Sequence, residues 1–312
     1  MTPFDYTKGQ AFLRDRFVPF ADATVSIASS PVLYGLSVYT VFSVAWNADQ
    51  KTLSVFRLQD HYRRLVNSAK IMDFCSFEPA WSYEKFKETM FELIRQNAPE
   101  EDVLIRATIF TDGIIAGTKI HSLPHVLAAY VYPVGEILPR GGVHLCVSSW
   151  IRNPDNAIPS RAKVNGGYVN SSLMKNEAIL NGYDDAIALD AQGHVTEGTV
   201  SNIFLVRNGV LITPHVGADI LEGITRDSIL KIARDMKLPV EERLIDRSEL
   251  YLADEAFVCG SSARVTPVLS IDKRKIGNGV MGPMSQTLSD AYRVAQRGTA
   301  ADAYADWRME VS

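Results

Sequence analysis

The chain has 312 residues, 46% hydrophobic and 22% charged, with a formal net charge of −4, so it is long enough for one large or two ordinary domains with a real core. That balance argues against a nucleic-acid footprint, and the nearest basic cluster, "DKRKIGNG", is too short to reverse it. No apolar run approaches a membrane span, the N-terminus lacks a signal-peptide core, and Cys75, Cys146 and Cys259 are too few and too scattered for a disulfide framework.

In chain order, "PVLYGLSVYTVFSVAW" is rich in β-branched and aromatic residues and predicts a strand, and "TLSVF" predicts a second. "LQDHYRRLVNSAKIMDF" places Leu58, Tyr62, Leu65, Val66 and Ala69 at helical spacing. "SYEKFKETMFELIRQNA" repeats that period, with Ser82 as its cap. "VLIRATIFTDG" and "HVLAAYVYPV" return to strand character. The cluster Pro133, Gly135, Pro139, Gly141 and Gly142 then marks a linker, so the domains are expected at 1–132 and 143–312, joined by 133–142.

Beyond the linker, "VHLCVSSW" predicts a strand, and a polar loop leads to "SRAKVNGGYVNSS" and a helix over about 169–181, ended by Gly182. "DAIALDAQGHVTEG" reads as strand, turn, strand, and Asn208-Gly209 between apolar runs calls for a type I′ hairpin. "GITRDSILKIARDMKL" is a helix, "EAFVCGSSARVTPVLSID" two strands about a small-residue turn, and "GPMSQTLSDAYRVAQRG" a last helix between Pro283 and Gly298. The tail 299–312 has no clear pattern.

Gly277, Gly279 and Gly282 form a G-x-G-x-x-G pattern, but no apolar strand precedes it and no acidic strand follows, so it reads as a loop. The six histidines and three cysteines show no metal-ligand spacing, and no metal is expected. No nucleophile elbow or P-loop motif is present. Lys163 is different, since it sits beside Gly166 and Gly167, which allow close backbone approach or positive φ. A lysine amine held partly neutral forms Schiff bases with carbonyls. Glu197, at the end of a short apolar strand, is the type of group that pairs with a ring cation. Gly223, Ile224 and Thr225 open a helix, where free N–H groups suit a phosphate. Ser261 and Ser262 add hydroxyls in a turn, and Arg64 lies on a helix. Each alone also fits a surface charge, a turn or a plain helix cap.

Taken together and in this order, the segments "RAKVNGGYVNSSLMKNEAILNGYDDAIALDAQGHVTEGTVSNIFLV", "ILEGITRDSI" and "YLADEAFVCGSSARVTPV" resemble fold-type IV pyridoxal-phosphate enzymes, most closely branched-chain amino acid aminotransferases. The resemblance runs from "PVLYGLSVY" to "GPMSQTL". It implies an α+β, two-domain fold of the D-amino acid aminotransferase-like type: a smaller α/β domain and a larger cofactor-binding domain with a β-barrel-like core. It implies pyridoxal 5'-phosphate bound through a Schiff base to Lys163, which also shuttles the proton at the substrate Cα. Glu197 would pair with the ring nitrogen and Tyr168 with the ring O3′. Arg64, the Ile224 and Thr225 N–H groups and the Ser261 hydroxyl would take the phosphate, and Leu221 would pack on the ring. The turn Gly260–Ser262 would offer donors to the substrate carboxylate. Tyr34, Tyr39, Val41 and Arg106 would complete the substrate pocket.

The pocket strand departs from that family. Branched-chain enzymes show Phe-Glu-Gly-x-Arg after a Tyr-Gly pair, whereas Tyr34-Gly35 here leads to Tyr39-Thr40-Val41-Phe42-Ser43, without the Glu and Arg. That stretch is equally similar to the D-amino acid aminotransferase strand, although the Arg and His pair of that family is not evident. Arg106 is kept, but Leu104 stands where a Tyr is common. The expectation is a cytoplasmic transaminase, homodimeric or larger, moving amino groups between an L-branched-chain or other apolar amino acid and a 2-oxo acid such as 2-oxoglutarate, without nucleic-acid or membrane partners. The alternatives are action on D-amino acids or (R)-amines, a lyase of the aminodeoxychorismate type, and a cofactor-binding protein without turnover.

Overall fold

The computed structural model describes residues 4–115, 117–135, 138–139, 141–298 and 303–311. Glu136, Ile137 and Arg140 of the expected linker, and residues 299–302 and 312 of the tail, lie outside the described residues. In chain order the elements are β1 (Gln10–Leu13), β2 (Arg16–Pro19), α1 (Ser30–Tyr34), β3 (Ser37–Asn47), β4 (Thr52–Phe56), α2 (Leu58–Ile71), α3 (Phe77–Ala80), α4 (Tyr83–Asn97), β5 (Val103–Thr111) and β6 (His125–Pro133). They continue with β7 (Val143–Ile151), α5 (Tyr168–Leu180), β8 (Asp185–Leu189), β9 (Val195–Gly198), β10 (Asn202–Arg207), β11 (Val210–Pro214), α6 (Ile224–Asp235), β12 (Val240–Arg243), β13 (Glu255–Gly260), β14 (Arg264–Ile271), β15 (Arg274–Lys275), α7 (Pro283–Arg297) and β16 (Arg308–Glu310). Two compact units result: Met1–Gly135 with Ala162–Gly166 and Ala295–Ser312, and Glu136–Arg161 with Gly167–Val294.

The first unit is built on a seven-stranded sheet in the order β16-β4-β3-β5-β6-β1-β2. Every pairing in it is antiparallel. Arg14 and Asp15, with φ of 53° and 59°, turn β1 into β2 without a glycine, so this hairpin has no sequence signature of the usual kind. α2 packs on β3 and buries Leu65, Val66 and Ala69 as the helical spacing requires, and also His61 and Ser68. Ser82 caps α4, its Oγ accepting the Lys85 N–H at 3.3 Å. The strand expected from Pro31 begins later. Pro31 sits in the first turn of α1, and Gly35 closes that helix at φ 68°, its N–H on Pro31 O, before β3 starts at Ser37. A five-residue helix of apolar and aromatic residues is too short to show a period of its own. The tail supplies the edge strand β16, and Trp307 O accepts the Arg57 N–H at 2.6 Å.

The second unit holds a nine-stranded sheet in the order β12-β11-β10-β13-β14-β7-β8-β9, with β15 on β14. Its pairs β11–β12, β14–β7 and β7–β8 are parallel. β9, the last strand of that order, lies beside β10 and β11. Leu145, Ile187, Val195, Leu205, Ile212, Val258 and Val268, from seven strands, meet in one buried cluster. The sheet therefore curls round its own core, as the expected β-barrel-like domain requires. Asn208 and Gly209 form the hairpin turn with φ of 50° and 77°. The glycine pattern 277–282 is a loop leading to α7. The Glu255 carboxylate takes the Met284 and Ser285 N–H groups at 3.1 and 2.7 Å, so those helix-start donors are already satisfied by an anion of the chain itself.

Candidate active site

In the first unit, the segment carrying Lys163 is fixed at several points. Val164 bridges Val38. The Tyr39 N–H donates to Lys163 O at 3.0 Å, and the Lys163 N–H donates to Ser68 Oγ at 3.1 Å. The Gly166 N–H donates to Gly35 O at 3.1 Å, and a Cβ on Gly35 would lie 2.6 Å from the Gly166 Cα. Close approach thus depends most on Gly35, while a Cβ on Gly166 would meet Gly35 O at 3.3 Å. Neither Gly166 nor Gly167 adopts positive φ, and Gly167 has helical φ −66° as the N-cap of α5.

Val41 and Arg106 are register partners, so Tyr39, Val41 and Arg106 share one face of the sheet. The Arg106 guanidinium lies 3.6 Å from the Tyr39 ring centroid, and Lys163 Nζ lies 4.9 Å from it. Arg106 also donates to Asn165 Oδ1, and Asn165 Nδ2 donates to Ser37 Oγ at 2.6 Å. Tyr34, on α1, is exposed.

Thr40 is buried and belongs to a different group. Its Oγ1 lies 2.9 Å from His61 Nδ1 and accepts from Arg64 Nη2 at 3.3 Å. Burial, then the charges of Arg64, Arg57 and Lys163, hold His61 well below the ordinary imidazole range. A neutral ring can accept the Thr40 hydroxyl proton, which leaves the oxygen lone pairs to Arg64.

In the second unit, Glu197 at the end of β9 is buried with its charge matched. Oε1 meets Arg152 Nη2 at 2.7 Å. Oε2 accepts from Asn202 Nδ2 at 2.9 Å and from the Leu221 N–H at 3.1 Å. Asn202 Nδ2 also donates to Leu221 O at 3.0 Å, so Leu221 is tied to Glu197 by its N–H and to Asn202 by its C=O. No side chain caps α6, whose N-cap is Gly223, and Ile224 and Thr225 are buried at its start. Thr225 Oγ1 lies 3.4 Å from the Tyr292 hydroxyl. Tyr168, half-buried, opens α5. Gly260, Ser261 and Ser262 lie at the β13–β14 hairpin, closed by Arg264 at φ 53°. Burial pushes the Cys146 thiol up to about 11 and the Cys259 thiol higher still, so neither is a nucleophile near neutral pH.

The profile of the family described as amino-transferase class IV matches residues 37–271. A probable branched-chain-amino-acid aminotransferase of Aquifex aeolicus is 42% identical over 291 residues, 92% of each chain. The chain is similar to the crystal structure of a branched-chain aminotransferase from Thermoproteus uzoniensis with norvaline, at TM-score 0.91 and 37% identity, covering 97% of this chain and 99% of that one. A second solved structure, the T.th. branched-chain amino acid aminotransferase complexed with N-(5'-phosphopyridoxyl)-L-glutamate, matches at TM-score 0.90 and 36% identity, covering 99% and 100%. The chain is a class IV aminotransferase.

As such it is a pyridoxal-phosphate-dependent transaminase. Each unit, taken by itself, carries donors that suit part of that cofactor. In the first unit, a primary amine on a lysine whose backbone is fixed and a guanidinium on α2 suit an aldehyde and a phosphate. In the second unit, a buried carboxylate and a helix start whose N-cap is a glycine suit a protonated ring nitrogen and a phosphate. Sequence reasoning does not reach Arg152, Asn202, His61 and Ser68, nor the pairing of Thr40 with His61. Asn202 follows Glu197 within one short motif, "TEGTVSN", and that proximity is its only local signal. Arg152 meets Glu197, and His61 on α2 meets Thr40 on β3, only through tertiary packing, and they have none. Among the described residues, no helix is long and apolar enough to cross a membrane.

Proposed function

We propose that this aminotransferase moves an amino group between an apolar L-amino acid, branched-chain ones foremost, and a 2-oxo acid such as 2-oxoglutarate. The observation that carries this reading is the Lys163 amine, on a fixed backbone, beside the Tyr39, Val41 and Arg106 face. That face offers apolar contact to an aliphatic side chain and one cation to a second carboxylate. The relatives named above, one with norvaline and one with a glutamate adduct, support both substrates.

When bound, pyridoxal phosphate supplies the electron sink that stabilises negative charge at the substrate Cα. Lys163 would hold it covalently and then carry the proton to and from that carbon at Nζ. Arg64, the Ile224 and Thr225 N–H groups and the Ser261 hydroxyl would bind the phosphate. Tyr168 would donate to the ring O3′, Glu197 would face the ring nitrogen, and Leu221 would pack on the ring. The Gly260–Ser262 turn would receive the substrate carboxylate, with Tyr34 at the pocket edge.

Thr40 and Ser43 in place of a Glu and an Arg on β3 favour a second reading, in which D-amino acids or (R)-amines are the donors. The test is the visible spectrum of the holoenzyme during separate additions of L-leucine, D-alanine and an (R)-amine. Rapid conversion by L-leucine alone is expected, and conversion by either of the others alone would replace the L-specific reading. Pyruvate release without a 2-oxo acid acceptor would identify a lyase instead.

We also infer a homodimer or larger assembly. Trp150 and Ile151 at the end of β7, and Val169 and Leu173 on α5, are exposed, and Asn170 donates to Ile151 O between them. A monomeric mass by light scattering at micromolar concentration would exclude it. A cytoplasmic location completes the proposal. It is supported by three free cysteines, two of them buried, and cell fractionation checks it.

A further inference from the structure

Lys163 is held by its own peptide groups on two separate elements. Its C=O takes the Tyr39 N–H of β3 at 3.0 Å, and its N–H goes to Ser68 Oγ of α2 at 3.1 Å. Ser68 is 0% exposed, and its hydroxyl donates in turn to Arg64 O at 2.8 Å. One buried oxygen therefore accepts from the lysine amide and donates to the carbonyl of the arginine one helical turn earlier. Fixing the peptide on both sides of the Lys163 Cα means that the four-carbon stem leaves from a set point and direction. Ala162 and Val164 on either side are buried, which seats the segment further.

We propose that Ser68 is a positioning residue for Lys163: its hydroxyl sets the distance between the anchor amine and the α2 turn that carries Arg64. The proposal rests on the reading of Lys163 as covalent anchor and Arg64 as phosphate ligand. Without the hydroxyl, the Lys163 amide has no side chain of α2 to hold it, and the amine samples a wider volume. A misplacement of about 1 Å costs on the order of 10²-fold in rate, whereas binding of phosphate by Arg64 needs only the guanidinium.

The test uses Ser68→Ala together with the pair Ser68→Thr and Ser68→Val, which have nearly equal volume and differ in the hydroxyl. Two affinities are measured on cofactor-stripped protein. Pyridoxamine 5'-phosphate cannot attach to the lysine and reports the phosphate and ring contacts alone, while pyridoxal 5'-phosphate reports the attachment as well. For Ser68→Ala and Ser68→Val, kcat is expected to fall about 10- to 100-fold. The pyridoxal phosphate affinity should weaken while the pyridoxamine phosphate affinity stays within about twofold, and Ser68→Thr should recover most of both losses.

Equal weakening of both cofactor forms would show a merely structural role and overturn the proposal. So would wild-type kcat and pyridoxal phosphate affinity in Ser68→Val, even with Lys163→Ala inactive, and that result would leave the anchor reading standing. Full turnover in Lys163→Ala would remove the anchor reading and this inference with it. If Ser68→Ala does not fold, the Thr and Val comparison still decides.

Discussion

Lys163→Ala should lower kcat by at least about 10²- to 10⁴-fold, the range that a positioned acid–base group supplies, with further loss from the missing covalent attachment. The lysine backbone is fixed by Tyr39 and Ser68 through main-chain groups, which the alanine variant keeps. Its Nζ lies over the Tyr39 ring and is not part of the core, so truncation should leave the fold in place. The measurements are single- and multiple-turnover transamination, the visible spectrum with added pyridoxal phosphate, and a thermal melt as a control for folding. Lys163→Arg should not restore activity, because a guanidinium neither attaches to an aldehyde nor gives up its proton near neutral pH. Turnover within about tenfold of wild type in the alanine variant would sink the assignment.

Glu197→Gln should affect both stability and rate, and the two can be separated. The glutamate side chain is 6% exposed and faces Arg152, whose side chain is only 15% exposed. Breaking a buried pair by removing one partner costs about 3–5 kcal/mol, and since Arg152 retains some solvent, the lower end of about 3 kcal/mol is expected in denaturant unfolding. The rate effect has a different origin. A neutral amide opposite the ring nitrogen no longer favours a positive charge there, and loss of one such electrostatic contact lowers kcat about 10²- to 10³-fold. Adding Arg152→Met to Glu197→Gln should recover most of the stability by removing the unmatched cation, yet recover none of the rate. A double variant that regained both would mean that Glu197 acts only through the fold. A single variant with kcat within threefold of wild type would remove its proposed role.

The candidate site was unevenly legible for one physical reason. Lys163, Glu197 and the start of α6 stood out because glycines and helix-start residues mark them locally, within a few positions. Their partners did not. Ser68 meets Lys163 across a separation of 95 residues, and Arg106 meets Asn165 across 59. On α2 the apolar spacing identified the buried face, but His61 and Ser68 share that face and read as ordinary polar interruptions. The Thr40 hydroxyl satisfies one of them, the Lys163 amide the other, and neither is adjacent in the chain.

Local dihedral and capping rules account for the features that can be read from the residues alone. The Ser82 cap, the Asn208–Gly209 turn, the Pro283 start and Gly298 end of α7, and the helical faces of α2, α4 and α6 are set by residues within one or two turns of each other. Where those pieces go follows from the folded chain. It joined Ala162–Gly166 and the tail strand β16 to the first unit, closed Gly35 against Gly166, and set Arg152 on Glu197. Such pairings depend on strand register and on burial of polar groups that must find partners, and both are fixed by the whole sheet rather than by any local stretch of chain.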